Sequence, residues 1–392
     1  MPAPPPVAPP ALPAAVEGVA LRFQHPEPPP LEEVAAYYRL ADEAAYYANG
    51  GPCARLLEAR LSERLGGAHC VTVASGTAGL LVALRALFGP PAPGRVVVTP
   101  SFTFAATACA IEWAGFRPLF VDVEPTTWQL DPAGLEAALA DGRHDVAGVL
   151  ACSTFGSPPP AWMRRSWRAS CRAHGAPLMI DSAAAFGSVD DEGRPSGGAG
   201  DTELFSFHAT KPFAVGEGGL LATPDAALAE RMRALCNFGM EPGTRVAAEV
   251  GINGKMSELA AATALAMLDR YPAALAERRA TAAALRGAIH PRALVFQRGA
   301  EGSTWQILQG LAPTPAHREA ALRAAARLGV QARSYFDPPL HRHPAFAGAP
   351  RADGLRVTEA IASRSLSLPM ANRLDGGEVA LVARVVEEAI PC

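Results

Sequence analysis

The middle of the chain repeats one pattern: an apolar strand, a short polar turn and a helix. VTVASGTAGLLVALRAL, residues 71–87, is the first copy, and three further copies follow before residue 175. APLMIDSAAAFGS, residues 176–188, adds a strand that ends at Asp181. Because alternating units of this kind build a mainly parallel sheet flanked by helices, ligands collect beyond the carboxyl ends of the strands. The pattern therefore predicts an α/β fold, with Ser75, Phe104 and Asp181 at strand ends.

A lysine follows a further apolar run, residues 204–208, in the segment DTELFSFHATKPFAVGEGG. Pro212 disfavours helical backbone at Lys211, and the glycines that follow permit a tight bend. The amine is therefore predicted to lie in a turn at a strand exit. Most lysines are ordinary surface residues, but one that is desolvated has a lowered pKa and can condense with an aldehyde.

A Schiff-base lysine requires partners, and the other strand ends offer candidates, each with a simpler alternative. The turn at Ser75 precedes an apolar helix whose first N–H groups can bind a phosphate, although Ser and Thr are also ordinary helix caps. Asp181 could hold a pyridinium nitrogen in its protonated form, or could be a turn or cap residue. Phe104 could stack on a ring or belong to the core.

Composition limits the classes of protein to which the chain can belong. Apolar residues make up 49% of it, and its net charge of -3 argues against a general nucleic-acid binder. The seven cysteines form no CxxC pair and are too sparse for a disulfide framework, so we expect a cytoplasmic protein without a metal site. Residues 1–30 are rich in proline and lack the features of a signal peptide or membrane span, which predicts a disordered tail and no membrane partner.

Eight segments, taken in order, resemble the DegT/DnrJ/EryC1/StrS sugar aminotransferases, which are pyridoxal 5'-phosphate (PLP) enzymes of fold type I. The segments are NGGP, SGTAGLLVALRAL, TPSFTF, IDSAAAFG, FSFHATKPFAVGEGG, CNFGM, GINGKMSE and SYFDPPLHRHPAF. The resemblance covers residues 30–392 and implies a three-layer α/β fold with a mainly parallel sheet. We accordingly expect a large PLP-binding domain at residues 31–270 and a smaller C-terminal α/β domain at residues 271–392.

The resemblance also implies how the cofactor is held. Lys211 would form the Schiff base and move protons, Asp181 would pair with the pyridine nitrogen, and Phe104 would stack on the ring. The phosphate would be held by Gly76, Thr77 and Ser206.

Further residues are implied to face the substrate or a second subunit. Asn253 would reach the cofactor phosphate of the neighbouring subunit, which implies a homodimer with shared active sites. Tyr335 and His341 belong to a segment that resembles the border of the sugar-nucleotide pocket. Arg333 is a candidate contact for a diphosphate, or else a solvated surface arginine. Members of the family usually carry Gln or His three residues after the aspartate, where this chain has Ala184.

The leading hypothesis is transfer of an amino group from glutamate to a nucleotide-linked keto-deoxysugar, of which a 4-keto-6-deoxyhexose is the expected type. A PLP-binding regulatory protein is a rival, which the Ala184 departure makes conceivable. A sugar dehydratase is a second rival, although dehydratases that resemble this family replace the lysine with His. A nicotinamide dehydrogenase is the weakest alternative, because no GxGxxG motif follows a strand.

Overall fold

The computed structural model describes residues 18–241 and 243–391. The strands in this part are β1 (His69–Val73), β2 (Val96–Pro100), β3 (Arg117–Val121), β4 (Val146–Cys152), β5 (Leu178–Asp181), β6 (Thr202–Ser206), β7 (Gly219–Thr223), β8 (Val295–Phe296), β9 (Leu308–Leu311) and β10 (Ser365–Leu368). The helices are α1 (Leu31–Ala44), α2 (Pro52–Arg64), α3 (Gly76–Phe88), α4 (Ala105–Trp113), α5 (Pro132–Ala140), α6 (Ala161–Ala173), α7 (Ala226–Cys236), α8 (Glu258–Ala288), α9 (Pro315–Arg327), α10 (Arg356–Ala362) and α11 (Gly376–Ala389). Within the described residues, no helix has the length and apolarity needed to span a membrane.

A seven-stranded sheet organises the large domain. Its order is β1-β7-β6-β5-β4-β2-β3, and neighbours from β6 to β3 are parallel, whereas β7 is antiparallel to both of its neighbours. Residues 207–218, which we call the lysine loop, join β6 to β7 without the helical crossover that a parallel pair needs. The strand that was predicted at residues 204–208 ends at Ser206 in the structure, two residues earlier than predicted.

Side chains along the strands alternate between two apolar layers. In β2, Val96 and Val98 pack with α5 and α6, whereas Val97 packs with α3, α4 and α7 on the other face. At the β6–β7 end of the sheet, α1, α2 and α8 cover the first of these faces. The sheet is thus buried on both sides, as expected for parallel strands, and the predicted three-layer α/β fold is confirmed.

A small three-stranded antiparallel sheet, in the order β10-β9-β8, lies in the C-terminal part with α9 and α11 packed against it. Helix α8 joins the two domains, since Leu265 packs in the core under the large sheet and Leu285 in the small domain. The predicted boundary after residue 270 falls inside this helix, so it stays a prediction.

The segment before α1 is ordered where the structure describes it. Leu21 pairs with Val330, and the backbone N–H of Phe23 donates to Oε1 of Gln331 at 3.1 Å. Leu21 and Phe23 are buried, because they fill apolar clusters at the small domain. The prediction of a disordered tail as far as residue 30 is therefore wrong from Leu21 onward, and residues 1–17 lie outside the described residues.

Candidate active site

Lys211 lies in a loop whose backbone is firmly held. Its N–H donates to the carbonyl oxygen of His208 at 2.9 Å, and the imidazole Nδ1 of His208 accepts from the backbone N–H of Thr210 at 3.2 Å. In the part of the chain that the structure describes, the amine Nζ of Lys211 has no hydrogen-bond partner. Burial lowers the pKa of Lys211, and the negative charge of Asp181 opposes this shift. The loop thus presents an unpaired amine whose neutral, nucleophilic form is favoured.

Asp181, the last residue of β5, is buried and accepts two hydrogen bonds through its carboxylate. Its Oδ2 accepts from the hydroxyl Oγ1 of Thr107 at 2.8 Å, and its Oδ1 accepts from the N–H of Ala183 at 3.1 Å. Burial raises the pKa of Asp181, while these hydrogen bonds and the charge of Lys211 lower it. Lys211 and Asp181 therefore lie close enough together for their charges to interact.

A cradle for an anion forms where α3, β6 and β7 meet. Ser75 caps α3 by accepting from the N–H of Ala78 at 3.1 Å, and among the described residues nothing accepts from the N–H groups of Gly76 and Thr77. A Cβ added to Gly76 would lie 2.9 Å from the Cβ of Ser206, so only glycine permits this approach. The free N–H groups, the helix dipole and the Ser206 hydroxyl together suit a phosphate.

Phe104 precedes α4, and its side chain is 58% exposed. The structure therefore excludes the alternative that it is a core residue. Its carbonyl oxygen accepts from the N–H of Thr107 at 3.2 Å, so the ring lies one helical turn from the hydroxyl that holds Asp181. This position is compatible with a ring stacked above the pocket, which stays a prediction.

Asn253 is exposed on a loop beside the large sheet. The loop is fixed by a bond of 2.7 Å from the N–H of Ala74 to the carbonyl oxygen of Gly254, and by pairing of Asn253 with Asn237. Among the described residues, nothing binds the Asn253 side chain. Its amide is thus available to another molecule, and the predicted contact with a neighbouring subunit is compatible with the structure but not tested by it.

The residues predicted to face the substrate differ in their surroundings. Tyr335 is half-buried, with its ring 5.9 Å from that of Phe23. Arg333 is exposed, and its guanidinium lies 5.4 Å from the centre of the Phe23 ring. Both side chains have a face open to solvent, and their role at a sugar nucleotide stays a prediction.

His341 does not fit its predicted role. The side chain is 3% exposed, its Nδ1 is 2.7 Å from the hydroxyl of Ser101, and its Nε2 is 2.7 Å from the carboxylate of Glu359. Both ring nitrogens are used within the protein, so the prediction of direct substrate contact is wrong for this residue. His341 instead fastens the segment after Tyr335 to the turn that follows β2.

Sequence reasoning missed Thr107, although it contacts the carboxylate of Asp181. Its hydroxyl also lies 3.2 Å from that of Thr103, so a chain of hydroxyl groups supports the carboxylate from α4. The sequence could have indicated that Thr107 lies on the same side as Phe104, since residues three apart on a helix lie on one side. Nothing in the sequence indicates that Thr107 lies close to Asp181.

The residues of the pocket fit PLP. A buried carboxylate without a cationic hydrogen-bond partner suits a protonated ring nitrogen, and the glycine-lined cradle suits a phosphate. An unpaired amine near the carboxylate suits the aldehyde. In this chain Asp181, Lys211 and the start of α3 would hold the three functional groups of the cofactor.

Comparison with known proteins identifies the family of the chain. The model of the DegT/DnrJ/EryC1/StrS aminotransferase family matches residues 31–387. Protein Rv3402c of Mycobacterium tuberculosis H37Rv is 37% identical over 371 residues, which cover 94% of this chain and 89% of that protein. The dTDP-4-amino-4,6-dideoxy-D-glucose transaminase of Shigella dysenteriae is 28% identical and is matched over 93% of this chain and 97% of its own.

A solved structure extends the comparison to three dimensions. DesI, crystallised in the presence of its TDP-sugar product, superposes with a TM-score of 0.84 at 33% identity, covering 95% of this chain and 93% of its own. The chain therefore belongs to the DegT/DnrJ/EryC1/StrS aminotransferase family, and it is a transaminase whose cofactor is pyridoxal 5'-phosphate.

Proposed function

We propose that the enzyme moves an amino group from glutamate to the keto group of a nucleotide-linked deoxysugar, with a 4-keto-6-deoxyhexose as the substrate class. One observation carries the chemistry: the unpaired amine of Lys211 lies close enough to the buried carboxylate of Asp181 for their charges to interact. The substrate class is supported by the Shigella transaminase and by DesI, whose names or titles refer to dTDP- or TDP-linked sugars. Glutamate as donor rests on the family resemblance alone.

Lys211 and Asp181 have separate tasks in this reaction. Bound PLP supplies an aldehyde that exchanges amines and a ring that takes up the electrons of a broken C–H bond. The neutral amine of Lys211 would hold the cofactor through its aldehyde, with release of water, and would give way to the amine of the donor. The freed Nζ would then take the proton from the donor's α-carbon and return it to the bound cofactor. The carboxylate of Asp181 would keep a proton on the ring nitrogen.

Aromatic side chains near Ala184 support a deoxysugar. The rings of Phe155 and Phe336 stack with centres 5.0 Å apart, and Tyr335 adjoins Phe336 at 5.7 Å. The next residue after Phe155 is Gly156, where an added Cβ would lie 2.9 Å from the carbonyl oxygen of Ala184, three residues after Asp181. The methyl group of a 6-deoxysugar gains more from such a wall than a hydroxymethyl group would, because the latter must lose water.

A homodimer with shared active sites is part of the proposal. Large apolar side chains are exposed around Asn253: Phe238 is 46% exposed, Val250 82% and Leu259 56%. Exposed apolar groups that cluster on one side of a protein often mark an interface, and a second copy is the occupant that would also use the free Asn253 amide. We place the enzyme in the cytoplasm, in agreement with the six free cysteines among the described residues.

Spectroscopy with the purified protein and PLP tests the chemistry and separates it from one rival, the PLP-binding regulatory protein. We expect a visible band of lysine-bound cofactor that Lys211→Ala abolishes and that glutamate removes in the wild type. A band that glutamate leaves unchanged would favour a PLP-binding regulatory protein.

The substrate is tested by adding dTDP-4-keto-6-deoxyglucose after the glutamate half-reaction. We expect an amino sugar by mass spectrometry and return of the visible band. Loss of a hydroxyl group from the sugar, without gain of nitrogen, would indicate a dehydratase. If no amino sugar forms although glutamate removes the band, the sugar assignment is refuted and the transaminase remains.

A further inference from the structure

A glutamine from the small domain reaches the lysine loop. Nε2 of Gln306 lies 3.5 Å from the carbonyl oxygen of Thr210, the residue that precedes Lys211. This distance is at the long limit for a hydrogen bond, so the contact is weak. Among the described residues, no group donates to Oε1 of Gln306. The side chain is therefore half-buried beside the reactive lysine with most of its hydrogen-bonding capacity unused.

The backbone that carries Gln306 is, by contrast, rigidly fixed. Arg278 of α8 is buried and donates from Nε to the carbonyl oxygen of Trp305 at 2.7 Å and from Nη2 to that of Gln306 at 2.8 Å. Burial lowers the pKa of Arg278 to about 10, so the guanidinium is still charged at neutral pH. Two residues earlier, the hydroxyl of Thr304 donates to the carbonyl oxygen of Ala184 at 2.5 Å. The segment 304–306 is thus joined to the pocket at both Ala184 and the lysine loop.

Pyridoxal carries a ring hydroxyl on the carbon next to the one that bears the aldehyde. With the aldehyde held by Lys211, this hydroxyl would lie beside Nζ. An ionised oxygen in a buried pocket needs a donor, because desolvation without a hydrogen bond is costly. Asp181 would hold the ring nitrogen, and the methyl group of Ala184 cannot donate. Gln306 has two amide hydrogens next to Lys211 and only one weak acceptor.

We propose that the side-chain amide of Gln306 donates a hydrogen bond to the ring oxygen of PLP, which makes Gln306 a cofactor-binding residue supplied by the small domain. The assignment rests on the cofactor and lysine roles of the proposed function and is independent of the sugar. Because Gln306 belongs to the small domain, the electronic state of the cofactor then depends on how that domain is seated.

The pH titration of the visible band reports this hydrogen bond. The donor stabilises the ionised oxygen most when the adjacent lysine nitrogen carries no proton, because the proton otherwise screens the oxygen. Gln306→Ala should therefore raise the pKa of the lysine-bound cofactor, by about 0.4 to 1 pH unit for one neutral hydrogen bond. Gln306→Glu cannot donate and adds a negative charge, so it should raise this pKa further.

Two controls keep the test specific. Gln331→Ala removes another half-buried glutamine of the small domain, one that binds the N–H of Phe23, and should leave the titration unchanged. An unchanged titration in Gln306→Ala, or an equal shift in Gln331→Ala, would overturn the role of Gln306. Failure of the proposed function would give a different result, namely a visible band that Lys211→Ala does not remove.

Discussion

Burial favours the neutral forms of Lys211 and Asp181, although one side chain is a base and the other an acid. For the lysine the shift serves the reaction directly, since only the neutral amine attacks a carbonyl or accepts a proton. For the aspartate the shift is a cost, which the cationic ring nitrogen of the proposed arrangement would offset. The empty pocket is therefore expected to be less stable at neutral pH than the same pocket with an uncharged residue at position 181.

Asp181→Asn tests this cost through the pH dependence of stability. Because the folded pKa of Asp181 is raised, the unfolded chain releases this proton at a lower pH than the folded protein does. Wild-type stability is thus lost as the pH rises from the unfolded value through the folded one. We expect the cofactor-free variant to be more stable than the wild type at pH 7, with the difference vanishing below about pH 4. Urea unfolding at several pH values measures this difference.

The same variant should bind PLP more weakly, because an amide cannot hold the ring nitrogen protonated. Glu301→Gln, a change at an exposed residue, is the control and should not alter stability between the two pH values. If Asp181→Asn is less stable than the wild type at pH 7 without cofactor, burial of the charged carboxylate does not destabilise the folded protein.

At the scale of elements, the start of α8 stabilises the start of α2. Glu258 is fully buried, and its carboxylate accepts from the N–H of Cys53 at 2.6 Å and from that of Ala54 at 3.3 Å. A Cβ added at Gly51 would lie 2.6 Å from the carboxylate carbon, so the contact also depends on that glycine. A negative group here satisfies helix N–H groups and faces the positive end of the α2 dipole.

Glu258→Gln should lower the free energy of unfolding by about 1 to 2 kcal/mol, because it replaces charge-assisted hydrogen bonds with neutral ones. The midpoint of denaturant unfolding measures the change. Glu277→Gln is the matched control on the same helix, where the carboxylate pairs with Arg373 in the solvent, and should have the smaller effect. Equal effects of the two substitutions would show that the buried cap has no special value.

Elements and strand ends were predictable where local pattern determines them. Lys211, Asp181 and the Ser75 turn follow apolar runs, and hydrophobic periodicity marks such runs. Thr107 and Gln306 were not predictable, since their importance depends on distances between segments far apart in the chain. His341 was misjudged because sequence shows that an imidazole is present but not that Ser101 and Glu359 occupy it. Leu21 and Phe23 were assigned to the tail because the surrounding sequence is rich in proline, although both side chains are buried.

At the scale of the whole molecule, the proposed sharing of sites between two copies is tested by combining two inactive variants. If Asn253 serves the neighbour's phosphate, Lys211→Ala and Asn253→Asp each inactivate their own homodimer. A hybrid of the two has one site with both residues intact and one with neither. Random co-assembly should therefore restore about a quarter of the wild-type sites.

Activity after co-expression, compared with a mixture of the separately purified variants, measures this recovery. Co-expression of Lys211→Ala with Asp181→Asn is the control and should recover nothing, because both residues belong to the same chain's pocket. Absence of recovery for the first pair, in preparations shown to contain hybrids, would contradict shared sites.

The long helix α8 has 31 residues and contributes to both apolar cores. Protein engineers who wish to transplant sugar preference from one relative to another would naturally exchange the C-terminal third of the chain. A graft cut before Leu275 would place foreign α8 residues in the native core under the large sheet, and it would also replace the side chain at position 306. Such a recombinant would change the absorption and the pKa of the bound cofactor together with the sugar preference, so the crossover point should be chosen with both consequences in view.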